Sequence, residues 1–252
     1  MTDASHASSS PAPSSLATSS LGTSSLATST LATSSAASPF PVAYLDDIYT
    51  EAPTSDNTVD HLGPLRALAG TWEGAKGFDV HPQVDGPERE PYVERWTFDV
   101  MDAQANGPQV YYGLRYHQHI TKPSEAETFH DQVGYLLWEP ATCTLIMTLA
   151  IPRAQIAMAS GTCDPGAHDF ELSASAEDAH FTISSAPFLD AAFRTSSWRI
   201  EFRVRGDQLT YSQTTVLHPY GSAEPFAHTD ANVLTRVAEA APNPRAGGPL
   251  LR

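Results

Sequence analysis

Positive charge is scarce in this sequence, and this scarcity limits the partners that the protein can have. The chain holds 14 Lys and Arg residues against 29 Asp and Glu residues, which gives a formal net charge of −15. No basic residue and only five acidic ones lie before residue 59, so the rest of the chain carries −10. Nucleic acids and anionic membranes are bound through clustered Lys and Arg. We therefore expect neither partner and expect a small-molecule ligand instead.

Cysteine and long apolar runs are also scarce. Cys143 and Cys163 are too few for a disulfide scaffold and do not have the spacing of a metal site, so we predict two reduced thiols. No window reaches the roughly 18 apolar residues that a membrane-spanning helix needs. The first residues lack the basic segment and apolar core of a secretory signal, and they lack the Arg residues of a transit peptide. The expected location is therefore cytoplasmic.

The beginning of the chain differs in composition from the remainder. Residues 7–38 are almost entirely Ser, Ala, Thr, Leu and Pro, with a leucine at every fifth position between residues 16 and 31. A period of five matches neither a helix nor a strand, so no face collects these leucines. We predict a disordered tail and linker over residues 1–58, one β-barrel over residues 59–238, and a flexible end over residues 239–252.

Alternating apolar and polar side chains dominate the chain after residue 69. About ten short runs rich in β-branched and aromatic residues are separated by turn signals such as Asn106-Gly107-Pro108. This pattern predicts an all-β fold, an antiparallel up-and-down barrel of about ten strands, with one short helix over His61–Ala69. Closure of the sheet removes exposed strand edges and leaves interior space for one small ligand.

A cluster of glycines around a tryptophan marks the first predicted strand. Gly70, Trp72, Gly74 and Gly77 lie within eight residues of one another. Glycines let a strand bend and let an indole lie across the base of a barrel. We expect Arg236, near the end of the chain, to stack on this indole through a cation–π contact.

Three sequence blocks together resemble the nitrobindin family of haem-binding β-barrels, relatives of the lipocalin and fatty-acid-binding barrels. The first is the glycine and tryptophan cluster, which matches the family pattern Gly-x-Trp-x-Gly-x-Gly with the last glycine displaced. The second is His130-Asp131-Gln132-Val133-Gly134-Tyr135, which has Gln132 where the family has Glu. The third is His228 before Leu234 and Arg236. We place His228 on the loop that enters a closing strand over residues 232–237.

The resemblance implies a function and a set of site residues. His228 corresponds to the family's axial ligand of haem b, and family members isomerise peroxynitrite to nitrate and bind nitric oxide. Gln83 stands in the region where the family has a Thr near the haem. His130 shares a strand face with Gln132, so it is a further candidate for contact with the ligand. The resemblance thus implies a haem-dependent peroxynitrite isomerase, with a homodimer as one option for its assembly.

Two alternatives stay open at this point. His117 and His119 point to the same side of a predicted strand, so they indicate either a metal site or a pair of solvent-exposed residues. The barrel itself is compatible with a lipocalin-like carrier of an apolar molecule, without haem or catalysis. Arg194 is a candidate for pairing with a carboxylate at the barrel mouth.

Overall fold

Twelve β-strands contain most of residues 47–241, the part of the chain that the computed structural model describes. Two 3-10 helices, Thr58–His61 and Gly63–Ala67, precede the strands, and one α-helix, α1 (Pro187–Ala192), lies between β9 and β10. The strands are β1 (Gly70–Gln83), β2 (Gly86–Val100), β3 (Gln104–Asn106), β4 (Gln109–Thr121), β5 (Thr128–Glu139), β6 (Thr144–Ile151), β7 (Gln155–Thr162), β8 (Asp169–Ser175), β9 (Ile183–Ser185), β10 (Phe193–Arg205), β11 (Gln208–Pro219) and β12 (Phe226–Glu239).

Ten of these strands close into an antiparallel barrel. Following the pairings, the order is β1, β2, β4, β5, β6, β7, β8, β10, β11 and β12, and β12 pairs back with β1. The short strands β3 and β9 pair outside this ring, with β4 and β7. The predicted all-β, ten-stranded up-and-down barrel is therefore confirmed. Residues 1–46 of the predicted tail and linker (residues 1–58) and residues 242–252 of the predicted flexible end (residues 239–252) lie outside the described residues.

The predicted short helix over His61–Ala69 is not a continuous helix. Two 3-10 turns stand in its place, and they meet around Leu62. Gly63 has a φ of +55°, which is left-handed, and Pro64 has no amide hydrogen to donate. A continuous α-helix cannot pass through these two residues. Leu62, Leu65 and Leu68 are nevertheless fully buried, so the segment closes one end of the barrel.

Trp72 and Arg236 hold this closed end together. The Arg236 Cζ atom lies 4.0 Å from the centroid of the Trp72 ring, which is the predicted cation–π contact. The guanidinium donates hydrogen bonds to the carbonyl oxygens of Ala69 and Ala67, the latter at 2.9 Å. The Trp72 indole donates to the carbonyl oxygen of Leu68 at 2.7 Å. Side chains from both ends of the barrel sequence therefore satisfy the last carbonyl groups of the 3-10 segment.

Two glycines of the cluster around Trp72 have a steric requirement. Gly70 has a φ of +122°, and a Cβ atom there would lie 2.4 Å from the carbonyl oxygen of Ala238. A Cβ atom at Gly77 would lie 2.0 Å from the ring of Tyr92. The pairing of β1 with β2 shifts register between Gly74 and Gly77, so the glycines accommodate a bulge in the first strand.

We predict that Arg236→Lys lowers the free energy of unfolding by about 1–3 kcal/mol, because an ammonium cannot both stack on Trp72 and donate to two carbonyl groups. Urea denaturation monitored by tryptophan fluorescence measures the change. Arg199→Lys is the matched control, since Arg199 is exposed and pairs only with surface carboxylates. It should cost less than about 1 kcal/mol. Equal losses in the two variants would contradict the role of Arg236.

Candidate functional site

A cavity of about 430 Å³ opens inside the barrel, toward the end of β1 that is away from Trp72. Small-molecule sites in proteins typically have volumes of roughly 300–1,000 Å³. Apolar side chains form part of the wall, among them Ile120, Leu149, Ile151, Trp198 and Leu217. The titratable groups of the wall are Asp79, His81, His130, Arg153, His228 and Asp230.

Pairing between the first and last strands brings two carboxylates and a histidine together. Asp79 on β1 is the direct cross-strand partner of Asp230 on β12. His228 lies two residues before Asp230, so both side chains point to the inner face. His228 Nε2 is 2.5 Å from Asp79 Oδ1 and 3.7 Å from Asp230 Oδ2. We call Asp79, His228 and Asp230 the inner triad.

Two neighbouring side chains support the carboxylates of the inner triad. His81 Nδ1 is 2.5 Å from Asp79 Oδ2, the oxygen that does not face His228. Gln213 donates from Nε2 to Asp230 Oδ2 at 3.1 Å. The other amide atom of this residue, Gln213 Oε1, is inaccessible to solvent and has no hydrogen-bond donor among residues 47–241. The cavity wall therefore contains an unused buried acceptor beside the triad.

The groups of the inner triad shift each other's pKa values. Burial opposes the charged form of His228, but its hydrogen bond to Asp79 and the charges of both carboxylates outweigh burial and raise the pKa of His228. Burial raises the pKa of Asp230 to about 7, although the charge of His228 opposes this shift. Burial also opposes ionisation of Asp79, yet its contacts with His228 and His81 lower the pKa of Asp79. Near neutral pH, Asp79 is thus ionised and Asp230 is partly protonated.

His130 lies on β5 and lines the same cavity. Burial lowers the pKa of His130, and the charge of His228 lowers it further, while a hydrogen bond with Gln132 opposes the shift. Gln132 in turn donates to the hydroxyl oxygen of Tyr116 at 3.0 Å. The His130 ring is therefore a neutral, positioned imidazole near neutral pH, able to donate or accept one hydrogen bond.

The residues singled out from the sequence divide between the cavity and the outer surface. His228 and His130 line the cavity, but His228 lies within β12 and not on a loop, because the closing strand begins at Phe226 and not at residue 232. Gln83 is exposed at the end of β1 and does not line the cavity. Its side-chain amide contacts the His81 ring at 3.2 Å instead. Its contact with a ligand stays a prediction.

The other two sequence-based candidates face outward. His117 Nε2 is 2.8 Å from the half-buried Asp131, and His119 Nε2 is 3.0 Å from Thr128 Oγ1. Neither histidine lines the cavity: His117 is exposed and His119 is half-buried on the outer face of the barrel. Arg194 is exposed as well, and the arginine of the cavity wall is Arg153.

Sequence reasoning missed Asp79, His81 and Asp230 as site residues. The signal that could have found them is the two-residue spacing in Asp79-x-His81 and His228-x-Asp230. Residues two apart in a strand share a face. If His228 faces inward, Asp230 must do so too, and a closed barrel pairs the last strand with the first, which carries the second Asp–His pair.

A buried polar network lies beside the cavity and centres on Glu94. Its carboxylate accepts hydrogen bonds from Trp96, from Gln118 at 2.6 Å, from Tyr211 at 3.0 Å and from Asn232 at 2.9 Å. Burial raises the pKa of Glu94 to about 7 despite these four donors. Gln118 links this network to the cavity wall, and its Oε1 has no donor among the described residues.

Comparison with known proteins places this barrel among related domains. A family model described as "THAP4-like, heme-binding beta-barrel domain" matches residues 61–236. The crystal structure of Rv2717c from M. tuberculosis has a TM-score of 0.49 and 24% sequence identity, and the alignment covers 71% of this chain and 97% of that one. No curated protein matches the chain. In the part of the chain that the structure describes, no helix is long and apolar enough to cross a membrane.

We predict that Glu94 makes folding stability fall as the pH rises. Its pKa is 4.5 in a solvated chain and about 7 in the barrel. Between these two pKa values the unfolded chain releases the proton and the folded protein keeps it. The contribution of Glu94 to the free energy of unfolding is therefore fully present below the lower pKa and is lost as the pH rises through the higher one. Unfolding free energies at about pH 4 and about pH 8 should show a loss of about 3 kcal/mol from this group.

The variant Glu94→Gln tests this assignment. It cannot ionise, so its stability should fall less between the two pH values, although loss of one buried acceptor lowers its stability overall by about 1–3 kcal/mol. Glu73→Gln is the control, because Glu73 is an exposed carboxylate on β1 paired with Arg95. A pH dependence that is the same in Glu94→Gln and Glu73→Gln would rule out Glu94 as its source.

Proposed function

Because this chain belongs to the family of THAP4-like, heme-binding β-barrel domains, we propose that its cavity binds haem b with His228 as the axial ligand. The match over residues 61–236 also confirms the nitrobindin resemblance derived from the sequence blocks. The observation that supports His228 is its position on the inner wall of the cavity with the Asp79 carboxylate at one ring nitrogen.

The donor chemistry of this position suits an axial haem ligand. Histidines that bind metals usually donate their second ring N–H to a carboxylate, carbonyl or water, which fixes the ring and its tautomer. Asp79 provides such a carboxylate, and His81 holds the other oxygen of Asp79. The second ring nitrogen of His228 makes no hydrogen bond within residues 47–241 and is available to iron.

The rest of the wall suits the remainder of a porphyrin. Leu149, Trp198 and Leu217 offer apolar contact to the ring. Arg153 lies at the exposed rim of the cavity, and a guanidinium pairs well with a propionate carboxylate. Within this proposal, Arg153 takes the role that the sequence suggested for Arg194.

We further propose peroxynitrite isomerisation as the reaction, with nitric oxide binding at the same position. The conversion of peroxynitrite to nitrate moves one oxygen within the anion, so it consumes neither an oxidant nor a reductant. Ferric haem would supply a Lewis acid with one open coordination position. The protein contributes the neutral ring of His130, whose N–H donates a hydrogen bond to the anion.

The remaining expectations belong to this proposal. We propose a cytoplasmic location, no nucleic-acid or membrane partner, and a barrel unit that spans residues 59–238. The apolar part of the wall also favours a second candidate function, a lipocalin-like carrier of an apolar molecule. Mass spectrometry of small molecules that co-purify with the protein separates the two, since a porphyrin favours the first and a fatty acid the second.

We predict that the haem-reconstituted protein has a Soret band and that His228→Ala loses or shifts it, because the iron loses its protein ligand. Absorbance titration with hemin measures the change, and circular dichroism shows whether the variant is folded. His119→Ala is the control, since His119 faces outward, and it should match the unsubstituted protein. Absence of a Soret band after reconstitution of the unsubstituted protein would refute haem binding.

We predict that His130→Ala lowers the rate of peroxynitrite decay by about ten-fold in the haem-loaded protein, the value of one hydrogen bond of about 1.4 kcal/mol. Stopped-flow absorbance gives the rate, and the nitrate yield identifies the product. The Soret band of the variant shows that haem is still bound, so the loss is separable from loss of the cofactor. An unchanged rate in His130→Ala would exclude this histidine from the reaction.

A further inference from the structure

The inner triad has the donor set of a site for a free metal ion. Asp79, His228 and Asp230 each offer one ligand atom, and these atoms all lie within 4.8 Å of one another. They come from two paired strands of a closed barrel, so the backbone fixes their spacing. Their common face is the wall of the cavity, which gives an ion a path of entry.

Charge at the triad calls for a cation. Two carboxylates in direct cross-strand contact repel each other, and this pair is largely buried, with 4% of the Asp79 side chain and 15% of the Asp230 side chain exposed. No Lys or Arg forms an ion pair with either carboxylate within residues 47–241. Buried carboxylates are normally paired with a cation or bound to a metal. The cationic partners within reach are His228 and His81, and they carry charge only when protonated, so either bound protons or a metal ion must neutralise the carboxylates.

Gln213 leaves one polar atom unpaired beside the triad. It holds Asp230 through its Nε2 atom, while its buried Oε1 atom has no donor. If the Gln213 amide were flipped, its Oε1 atom would face the Asp230 carboxylate, and two acceptor oxygens cannot hydrogen-bond each other. The orientation in which Nε2 donates to Asp230 and Oε1 stays unpaired is therefore the favourable one. A water molecule bound to an ion at the triad is a donor that could satisfy Oε1.

We propose that Asp79, His228 and Asp230 bind a divalent transition-metal ion when the cavity holds no haem. One imidazole nitrogen and two carboxylate oxygens match Zn²⁺, which takes such ligands in a tetrahedral site. Mg²⁺ and Ca²⁺ prefer all-oxygen sets with more ligands. Three protein ligands leave one position open to the cavity, as in catalytic and not structural zinc sites. His81 and Gln213 orient the carboxylates from outside the ligand set.

This ion would take Nε2 of His228 and so replace the hydrogen bond to Asp79 that orients the ring in the haem proposal, and we therefore expect the ion and haem to exclude each other. The proposal therefore goes beyond the haem function and describes a second occupant of the same wall. It also gives Asp230 a role, which the haem proposal does not require.

The test is titration of the haem-free, full-length protein with Co²⁺, whose visible absorption reports tetrahedral coordination, followed by displacement with Zn²⁺. We expect one ion per chain. Asp230→Asn should weaken binding by about 100-fold or more, since it removes a ligand and not only a supporting contact. This change also removes the repulsion from Asp79, so the variant should keep its melting temperature.

Asp131→Asn is the matched control. It removes a carboxylate from an Asp–His contact of similar length on the outer face, His117 Nε2 to Asp131 Oδ2 at 2.8 Å. Binding should be unchanged in this variant. Binding lost in Asp131→Asn but kept in Asp230→Asn would show that the ion sits on the outer histidines and would overturn the proposal. If Asp230→Asn proves unstable, Asp79→Asn gives the same comparison.

Failure of this proposal can be told apart from failure of the haem proposal. Absence of any Co²⁺ or Zn²⁺ binding means that protons alone neutralise the triad, which overturns the metal site whether or not a Soret band forms with hemin. Co²⁺ binding that depends on Asp230 supports the metal site, even in a protein that takes up no hemin. Co²⁺ absorption of full intensity in haem-saturated protein would contradict the sharing of His228.

Discussion

Pairing between β1 and β12 is the constraint on which the rest of the structure depends. At one end of this pair, Trp72 meets Arg236, and the guanidinium also takes up the free carbonyl groups of the 3-10 segment. At the other end, the same pairing sets Asp79 opposite Asp230 and brings His228 against Asp79. A one-residue slip of β12 would turn Arg236, His228 and Asp230 to the outer face. A β-bulge between Glu73 and Phe78 lies between the two ends, so the register at the site depends on this irregularity as well as on the closed end of the barrel.

The fold could be predicted from the sequence because its signal is local. Alternation and turn residues are repeated along the whole chain, so an error in one strand boundary does not change the all-β barrel. The cation–π contact of Arg236 with Trp72 was predictable because closure of a barrel joins its first and last strands. Where the prediction was wrong, a local backbone feature decided the outcome. Gly63 and Pro64 divide the expected helix into two 3-10 turns.

The site was harder to predict because it depends on pairing between residues far apart in sequence. Asp79 and His228 are 149 residues apart, and no local pattern states that they touch. Because this pairing is not visible in the sequence, His228 could be identified only by comparison with a family motif. That comparison did not show that His228 lies within a strand, so it was predicted to lie on a loop. Gln83 was selected from the same comparison, but it stands at the exposed end of β1, beyond the cavity wall. The two-residue spacing of Asp79 and His81 was the better guide, since face sharing in a strand is a geometric rule.

Local charge, more than the net charge of −15, decides what the cavity can hold. Long-range attraction would not bring an anion to this acidic protein, so an anionic substrate depends on groups inside the barrel. The first group of charged and polar side chains is acidic and contains the ionised Asp79 and the partly protonated Asp230. The second group contains the neutral His130 and the cationic Arg153, which line other parts of the cavity. Any anion is favoured near the second group and disfavoured near the first. Within our proposals, a positively charged metal centre at His228 would reverse this preference, because it would neutralise the carboxylates that otherwise repel an anionic substrate. The acidic wall would then make anion binding depend on a cation in the site, whether that cation is haem iron or a free metal ion.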